Sequence, residues 1–568
     1  MRWWPLALSV QAARLDTGGG SRSRDLEPLI RWTLTLTVAV LLLVFLVYPL
    51  ANILARSLQT PAGLGLANYL DTFRTTRFWE LVRNSLLMAS ASTLFGVTLA
   101  YGYAYALQRT AIPFKPLLRL IALMPLFAPS LVQGQGLLFL LGRNGLLNRQ
   151  FGLEIEIYGY WGVAIANLLY AFPYALLILS AALAVADTRL YESAEMLGAS
   201  PWRAFRTITL PSTRYGIAAA CFVVFTLVMT DFGNPMVIGG DFNVLATEVY
   251  NQVIGQARFD LGAVIGMVLL IPAAIAKLIE KRITRRQFEL IGAHSRPLII
   301  RRKPLRDLLF GLYALLIAAV FLAVVGIVIF ASFVRLWPYN MTLTLHHYNF
   351  DVQNGIAPLW NSISVALLTA ALGVCVTALA AIVVHKLRNA LAGPLTFLSI
   401  LSSAVPGMVL GLGYILAFND PANPLNALYG TLLIIALLNV YYMHAQAFLI
   451  SSTSLQQISR TFDEASTVLG AGLLRTLWRV TLPLIWPTLL GVAVFLFMRA
   501  MVTLSAVIFM VTPATQVAAV SVLQLNDRGA VNQAAAFSAC IMAVVMGMLL
   551  LVKLVLRLAG VRGVALIR

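Results

Sequence analysis

The feature that most limits how this chain can fold is a series of apolar runs, each about 20 residues long, separated by short polar segments. A helix of that length crosses the hydrocarbon core of a bilayer, where every backbone N–H and C=O group must be bonded inside the protein. Hydrophobic residues make up 60% of the 568 residues and charged residues only 11%, which is more apolar than a soluble core needs. The sequence therefore predicts an all-α polytopic membrane protein.

The apolar runs fall into two sets of six, and the second set repeats the first. At a spacing of 272 residues Asn167 matches Asn439, and at 277 residues Pro129 matches Pro406. We therefore predict twelve transmembrane helices in two homologous halves, residues 29–280 and 307–568, related by a pseudo-twofold axis. The runs lie near 30–54, 82–107, 117–142, 159–185, 213–238 and 260–280, and then near 307–333, 358–385, 393–418, 428–452, 485–511 and 535–558.

One polar segment is also duplicated. Glu192 to Pro211 reads ESAEMLGASPWRAFRTITLP, and Glu464 to Pro483 reads EASTVLGAGLLRTLWRVTLP. In both copies a glycine follows the glutamate by six positions, and Leu-Pro closes the segment thirteen positions after the glycine. The pattern predicts a short helix, a glycine turn and a second amphipathic helix that the proline stops. Two short helices at an angle form a knob that can dock into the groove of a partner.

These two segments resemble the cytoplasmic coupling motif of bacterial ABC importer permeases, with Ser193 and Val480 as conservative departures. The resemblance extends over roughly residues 30–560 and implies coupling segments at 186–212 and 454–484. It assigns the contact with an ATPase to Glu192, Ala194, Gly198, Leu210, Pro211, Glu464, Ala465, Gly470, Leu482 and Pro483.

The resemblance also implies the partners of the chain. The sequence has no Walker A motif, so we expect no ATPase activity and no cofactor in this chain. ATP and magnesium would instead belong to two copies of an ABC nucleotide-binding subunit. A periplasmic solute-binding protein would deliver the cargo to the external loops.

The basic residues predict the orientation. Lys and Arg concentrate in the short segments around Arg109, Arg203, Lys386 and Arg475, and these alternate with segments poor in Lys and Arg. By the positive-inside rule, we expect both termini and both coupling segments to face the cytoplasm. The resemblance to bacterial permeases places the protein in the inner membrane. The net charge of +19 is spread over such segments, a distribution that favours a lipid membrane and not nucleic acid as the partner. Residues 1–28 would form a cytoplasmic tail, and residues 281–306 a basic cytoplasmic linker.

Polar residues inside the spans are candidates for the translocation pathway, because such residues are costly in lipid. Asp231 lies in the fifth span and Arg499 in the eleventh, about one helical turn apart in level when the halves are aligned. Two interpretations stay open: a buried ion pair between the halves, or an Arg499 that faces the pathway and favours an anionic cargo. Further pathway candidates, for which helix-to-helix hydrogen bonding is the alternative, are Asn234, Thr503, Ser505, Gln133 and Gln135. We expect no resident metal site.

The cargo is suggested by a second resemblance. The segments TDFGNP at residues 230–235 and TLSAVIF at residues 503–509 are similar to those of fused ferric iron importer permeases. Related permeases carry aminoethylphosphonate, sugar phosphates or thiamine, so an organic phosphate or phosphonate anion or thiamine is the alternative cargo. The spans show no cluster of carboxylates and tyrosines that would resemble a ferric site. A secondary transporter can also have two six-span halves, but it would have no use for the duplicated coupling motif.

Overall fold

The computed structural model describes residues 27–61, 63–184, 188–289, 300, 302–350, 355–387, 389–459 and 461–558, without the side chains of 281 and 283–289. The expected N-terminal tail, residues 1–28, therefore lies almost wholly outside the described residues. Residues 290–299 and 301 of the expected basic linker also lie outside them.

Ten helices in the described part are long and apolar enough to cross a membrane, and two bent helix pairs raise the number to twelve if each pair is one span. This confirms the prediction of an all-α polytopic fold. We number the spans 1 to 12 in chain order: Glu27–Leu58, Thr76–Arg109, Lys115–Phe127 with Leu131–Phe151, Tyr160–Ala184, Pro201–Met229, Phe259–Glu280, Pro304–Ser332, Ala357–His385, Ala392–Ala404 with Gly407–Phe418, Leu432–Gln457, Leu473–Val502 and Val531–Leu558.

Shorter elements connect the spans at matching places in the two halves. A two-stranded antiparallel hairpin follows span 1, with strands Gln59–Thr60 and Gly63–Leu64, and another follows span 7, with strands Val334–Leu336 and Asn340–Leu343. The short helices are Ala67–Arg74, Thr188–Met196, Gly233–Ile238, Leu245–Tyr250, Thr461–Val468 and Ala518–Asp527. One continuous apolar core contains residues from all of the spans.

Spans 3 and 9 are sharply bent, by 107° and 110°. The breaks fall at Pro129 and Pro406, where a proline ring cannot continue the helical hydrogen-bond ladder. After each break a glycine allows a very close helix contact. A Cβ atom on Gly136 would lie 2.3 Å from a backbone oxygen of span 7, and one on Gly413 would lie 2.8 Å from a backbone oxygen of span 1.

These contacts interlock the two halves, because the first span of each half packs against the bent span of the other. On the side of span 1, the Tyr414 hydroxyl donates a 2.8 Å hydrogen bond to the Phe45 carbonyl. Pro49, which has no N–H, cannot bond that carbonyl in the α-helical register. On the side of span 7, the Tyr313 hydroxyl donates a 2.8 Å hydrogen bond to the Leu99 carbonyl of span 2.

The prediction that Pro211 and Pro483 stop the second helix of each coupling segment is wrong. In both copies the helix continues into span 5 or span 11, and a five-residue π-helical stretch, Phe205–Thr209 or Leu477–Thr481, precedes the Leu-Pro pair. The π register widens the ladder just before the proline, where the missing N–H and the bulk of the ring would disturb an α-helix. The prolines therefore shape the entry to the spans.

Spans 5 and 11 are also shorter than the apolar runs suggested. The runs extend to residues 238 and 511, whereas the helices end at Met229 and Val502. Beyond these ends the chain turns away from the helix axis, although it stays apolar and buried. Polar side chains at the two helix ends are thereby brought into the interior of the protein.

Candidate functional site

The two coupling segments form the same helix-turn structure. Helix Thr188–Met196 ends at Gly198 with a φ of +69°, and helix Thr461–Val468 ends at Gly470 with a φ of +75°. In the first copy the Ala199 N–H bonds the Ala194 carbonyl at 2.9 Å and the Gly198 N–H bonds the Glu195 carbonyl at 3.0 Å, and the second copy repeats both bonds. This is a Schellman cap, which requires a left-handed residue and so favours glycine at these two positions.

The tip of each turn exposes apolar side chains. Met196 and Leu197 are 90% and 87% exposed, and their counterparts Val468 and Leu469 are 87% and 85% exposed. The glutamates Glu192 and Glu464 are exposed on the same short helices. A large apolar side chain left in water at the end of a rigid turn loses the free energy of burial unless another surface covers it.

A cation at the end of the second span of each half holds the turn in place. The Arg109 guanidinium lies 5.1 Å from the centre of the Tyr191 ring and donates a 2.9 Å hydrogen bond to the Leu183 carbonyl. At the equivalent position of the second half, Lys386 forms an ion pair with Asp463. Each coupling turn is therefore connected to a transmembrane helix by a side-chain contact as well as by the backbone.

A second candidate site is a small polar cavity where the halves meet, with about 30 Å³ of space that water can occupy. Equivalent positions of the two halves face it, such as Tyr170 and Tyr442, so it lies close to the pseudo-twofold boundary. Its polar lining consists of Ser130, Tyr170, Thr230 and Asp231 from the first half and Tyr442, Arg499, Thr503 and Ser505 from the second.

Asp231 and Arg499 line this cavity together, but they do not form the ion pair that was one interpretation of the sequence. No Arg499 nitrogen lies within the 4.0 Å ion-pair distance of an Asp231 oxygen, and both residues belong to the described part of the chain. The Arg499 guanidinium instead donates a hydrogen bond to the Tyr174 hydroxyl of span 4. The Asp231 carboxylate accepts a 3.1 Å hydrogen bond from the Asn234 N–H.

The remaining pathway candidates separate into two groups. Thr503 and Ser505 line the cavity, and the Thr503 hydroxyl donates a 2.6 Å hydrogen bond to the Arg499 carbonyl. Asn234 is fully buried and holds helices together: its side chain donates to Asn167 at 2.9 Å and accepts from the Gly134 N–H at 2.9 Å.

Gln133 and Gln135 are buried in span 3 and are not among the described residues that line the cavity. The Gln135 side-chain oxygen accepts a 3.2 Å hydrogen bond from the Ser538 hydroxyl of span 12. Neither polar atom of the Gln133 side chain has a protein partner. The hydrogen bond of Gln135 favours a helix-to-helix role for that residue, whereas no contact of the Gln133 amide explains its burial.

The sequence reasoning missed the tyrosines of the cavity. Tyr170, Tyr174 and Tyr442 bring three phenol groups to the region of Asp231 and Arg499, so carboxylate and tyrosine oxygens do come together here. Tyr170 and Tyr442 occupy equivalent positions 272 residues apart, and this match was the signal that could have identified them. Within the described residues, no group of three or more His, Cys, Asp or Glu side chains could hold a metal ion.

Comparison with known proteins gives a consistent result. Residues 85–289 and 386–559 each match the family described as "Binding-protein-dependent transport system inner membrane component". The chain is 29% identical over 536 residues to the ferric transport system permease protein FbpB of Actinobacillus pleuropneumoniae, covering 91% of this chain and 77% of that protein. It is 30% identical over 503 residues to a putative ferric transport system permease protein, FbpB 1, of Haemophilus influenzae, covering 85% and 78%.

More distant relatives match only one half. The molybdenum transport system permease protein ModB of Escherichia coli is 28% identical over 222 residues, covering 38% of this chain and 96% of that protein. Among solved structures, a bacterial ABC transporter for the import of alginate matches 48% of this chain and 100% of its own, with 17% identity and a TM-score of 0.40.

Proposed function

Because the chain belongs to the family of binding-protein-dependent transport system inner membrane components and is therefore the permease of an ABC importer, we propose that its cargo is ferric iron. Permeases of this class are multi-pass proteins of the bacterial inner membrane and are not themselves ATPases. The observation that carries the proposal is the similarity to ferric transport permeases over most of both chains. The two halves would be residues 29–280 and 307–568, each with one coupling segment.

The coupling turns would bind two copies of an ABC nucleotide-binding subunit, which supply ATP and magnesium chemistry. The exposed side chains at Leu197 and Leu469 support this, because a groove on a partner would remove them from water. The contacts of Arg109 with Tyr191 and of Lys386 with Asp463 would transmit the closing movement of the ATPase pair to spans 2 and 8. Both turns, and both chain termini, would then face the cytoplasm.

A periplasmic solute-binding protein would deliver the cargo to the opposite face. The hairpins after spans 1 and 7 and the short helices before spans 6 and 12 are among the elements that would face it. After delivery, closure of the ATPase pair would open the central cavity outward, and hydrolysis would return it to the cytoplasmic side.

The chemistry of the cavity supports a ferric cargo that arrives with anionic oxygen ligands. Asp231 and the hydroxyl groups of Tyr170 and Tyr442 are oxygen donors, which suit a hard cation. Arg499 would repel a bare cation but would attract the oxygen ligands or anionic chelator around it. The same guanidinium favours the second candidate cargo, an organic phosphate or phosphonate anion.

The proposal is tested by cargo-stimulated ATP hydrolysis. The chain would be reconstituted with its ATPase and binding protein, and ferric iron, aminoethylphosphonate, a sugar phosphate and thiamine would be added one at a time. We expect stimulation by ferric iron alone. Stimulation by a phosphate or phosphonate in its place would transfer the function to the second candidate, and stimulation by thiamine would reject both.

A further inference from the structure

An aromatic pocket of about 350 Å³ lies beside the first coupling turn, outside the cavity and the turns described above. We call it the span 2/5/7 pocket, because its walls come from span 2, the start of span 5 and the start of span 7. Its side walls are the rings of Tyr101, Tyr105, Trp202, Phe205 and Phe310, together with Arg306.

The rings pack on one another to form a rigid wall. The centres of Trp202 and Phe205 are 5.5 Å apart in a stacked arrangement, and the centres of Tyr105 and Phe310 are 5.0 Å apart. Even so, Trp202 stays 65% exposed. The aromatic wall and the open space beside it can accommodate an apolar chain.

The second half has no such pocket wall, although its backbone is equivalent. The positions that match Tyr101, Tyr105, Trp202 and Phe205 carry Ala378, Ile382, Leu474 and Leu477. The charge beside these positions of the second half is different too. There the first turn of span 1 presents the Glu27 carboxylate, which accepts a 3.0 Å hydrogen bond from the Leu473 N–H. The aromatic wall is therefore a property of the first half alone.

The corner of the pocket carries excess positive charge. Arg306 is paired with Asp307 at 2.7 Å, and that carboxylate also accepts hydrogen bonds from the backbone N–H groups of Lys303 and Ala111. Lys115 lies within the electrostatic field of Arg306, Arg119 and Asp307. Among the described side chains, Lys115, Arg119 and Arg306 thus lie near one carboxylate, Asp307, and this net positive charge suits an anionic group.

The depth of the pocket points to the membrane boundary. Arg306 lies in the first turn of span 7, so the corner is at the end of a transmembrane helix. Phe114 and Leu117, next to Lys115 in the chain, are 75% and 54% exposed. Cations beside exposed apolar and aromatic side chains at a span end are typical of the headgroup layer, where basic pockets between helices bind anionic lipids.

We propose that the span 2/5/7 pocket binds one anionic phospholipid, with its phosphate at Arg306 and Lys115 and an acyl chain against the rings of Trp202 and Tyr105. The lipid would contact Trp202, which follows Gly198 of the first coupling turn by four positions, and it would support that turn only. Anionic lipid would therefore act on one of the two ATPase contacts. This inference does not depend on the identity of the cargo.

The test is native mass spectrometry of the detergent-purified full chain during titration with phosphatidylglycerol or phosphatidylcholine. We expect one phosphatidylglycerol to bind more tightly than phosphatidylcholine. Arg306→Gln should weaken the binding of phosphatidylglycerol about fivefold, which is the typical contribution of one basic residue at an anionic surface. The double variant Tyr105→Ile with Trp202→Leu introduces the residues of the second half and keeps every charge. It should weaken the binding of both lipids.

The matched control is Arg31→Gln, which removes one cation from the start of span 1 beside Glu27. It should leave phosphatidylglycerol binding unchanged. Equal binding of the two lipids, or equal weakening by Arg306→Gln and Arg31→Gln, would overturn the proposal. Displacement of the lipid by inorganic phosphate would indicate a site for free anions, and loss of the lipid when the ATPase subunits assemble would assign the pocket to that interface. Either result would also overturn it.

Discussion

At two positions of the central cavity the halves differ by a single charge. Arg499 stands where the first half has Leu227, and Asp231 stands where the second half has Thr503. Ionisable groups inside a membrane protein are costly, so each needs a compensating contact or a function. Here the two charges bond to different partners, Tyr174 and Asn234, across a shared polar space. We propose that both charges contact the cargo when the cavity opens, which a closed ion pair would prevent.

We predict that Arg499→Leu, which copies the first half, reduces cargo uptake at least tenfold while the transporter still assembles. The reason is the loss of the only cationic group of the cavity in the described part of the chain, worth about 1.5–3 kcal/mol for a charged hydrogen bond. Uptake into proteoliposomes and assembly by size-exclusion chromatography are the measurements. The double variant with Asp231→Asn should be at least as impaired as Arg499→Leu, because the two residues are not paired. Recovery of uptake in the double variant would restore the ion-pair interpretation.

Gly470→Ala should uncouple ATP hydrolysis from transport. The residue has a φ of +75°, and forcing a side chain into the left-handed region costs about 1–2 kcal/mol, so the turn would shift. We expect a lower ratio of cargo transported to ATP hydrolysed, with normal expression. Gly491→Ala is the control, because Gly491 lies within span 11 with no atom within 4 Å of the added methyl group. An unchanged ratio in Gly470→Ala would remove this turn from the coupling mechanism.

At the scale of the element, each coupling segment is a short helix, a capped turn and a second helix that continues into a span. The exposed tip and the tie to span 2 or span 8 lie at opposite ends of the short helix. We propose that a force on the tip is passed on through this short helix and its two connections. The continuous second helix, with its π-helical stretch before Pro211 or Pro483, provides the more direct of these connections.

Replacing Leu197 and Leu469 together by serine should weaken the association of the ATPase subunits. Full burial of one leucine contributes about 1.5–3 kcal/mol, so each substitution is expected to weaken binding by roughly tenfold to a hundredfold. Isothermal titration of the ATPase subunit into the solubilised chain is the measurement. Leu64→Ser is the control, because Leu64 is 81% exposed in the hairpin after span 1, on the face proposed to be external. Equal binding by the control and by the double leucine variant would contradict docking at the tips.

The elements could be predicted from the sequence to different degrees. The apolar runs identified all of the spans, because length and hydropathy alone decide whether a helix can cross a bilayer. They placed the ends of spans 5 and 11 wrongly, because the buried chain after Met229 and Val502 is as apolar as a helix would be. The prediction that Pro211 stops the helix was wrong because a π-helical stretch, which has no simple sequence signal, accommodates the proline ring.

At the scale of the whole molecule, the halves exchange their first spans. Gly136 brings span 3 against span 7, and Gly413 brings span 9 against span 1. The repeat in the sequence indicated two equal halves but not this exchange, since matched positions do not say which copy a span packs against. The 272-residue match pairs Tyr170 with Tyr442, but the match alone does not show that both meet Asp231. The interlocking means that neither half has its full set of helix contacts alone.

We expect Gly136→Ala to lower the thermal stability of the whole chain. The added methyl group would lie 2.3 Å from the Val324 carbonyl oxygen, so span 7 must move away and lose packing, a change that typically costs 1–3 kcal/mol. Gly326→Ala on span 7 itself is the control, because no atom lies within 4 Å of its added methyl group. Thermal unfolding in detergent should show a lower midpoint for Gly136→Ala alone. Equal midpoints for the two variants would contradict the close packing of the halves.

An ATP-driven importer with a ferric cargo would take up radiolabelled ferric iron into proteoliposomes, and this uptake is the measurement to make first. These would contain the chain, its ATPase subunits and the binding protein, with ATP inside the vesicles. We predict uptake that requires hydrolysable ATP and is lost in Arg499→Leu. Uptake that continued without ATP and followed an imposed ion gradient, or ATP-dependent uptake of another solute with none of iron, would contradict it.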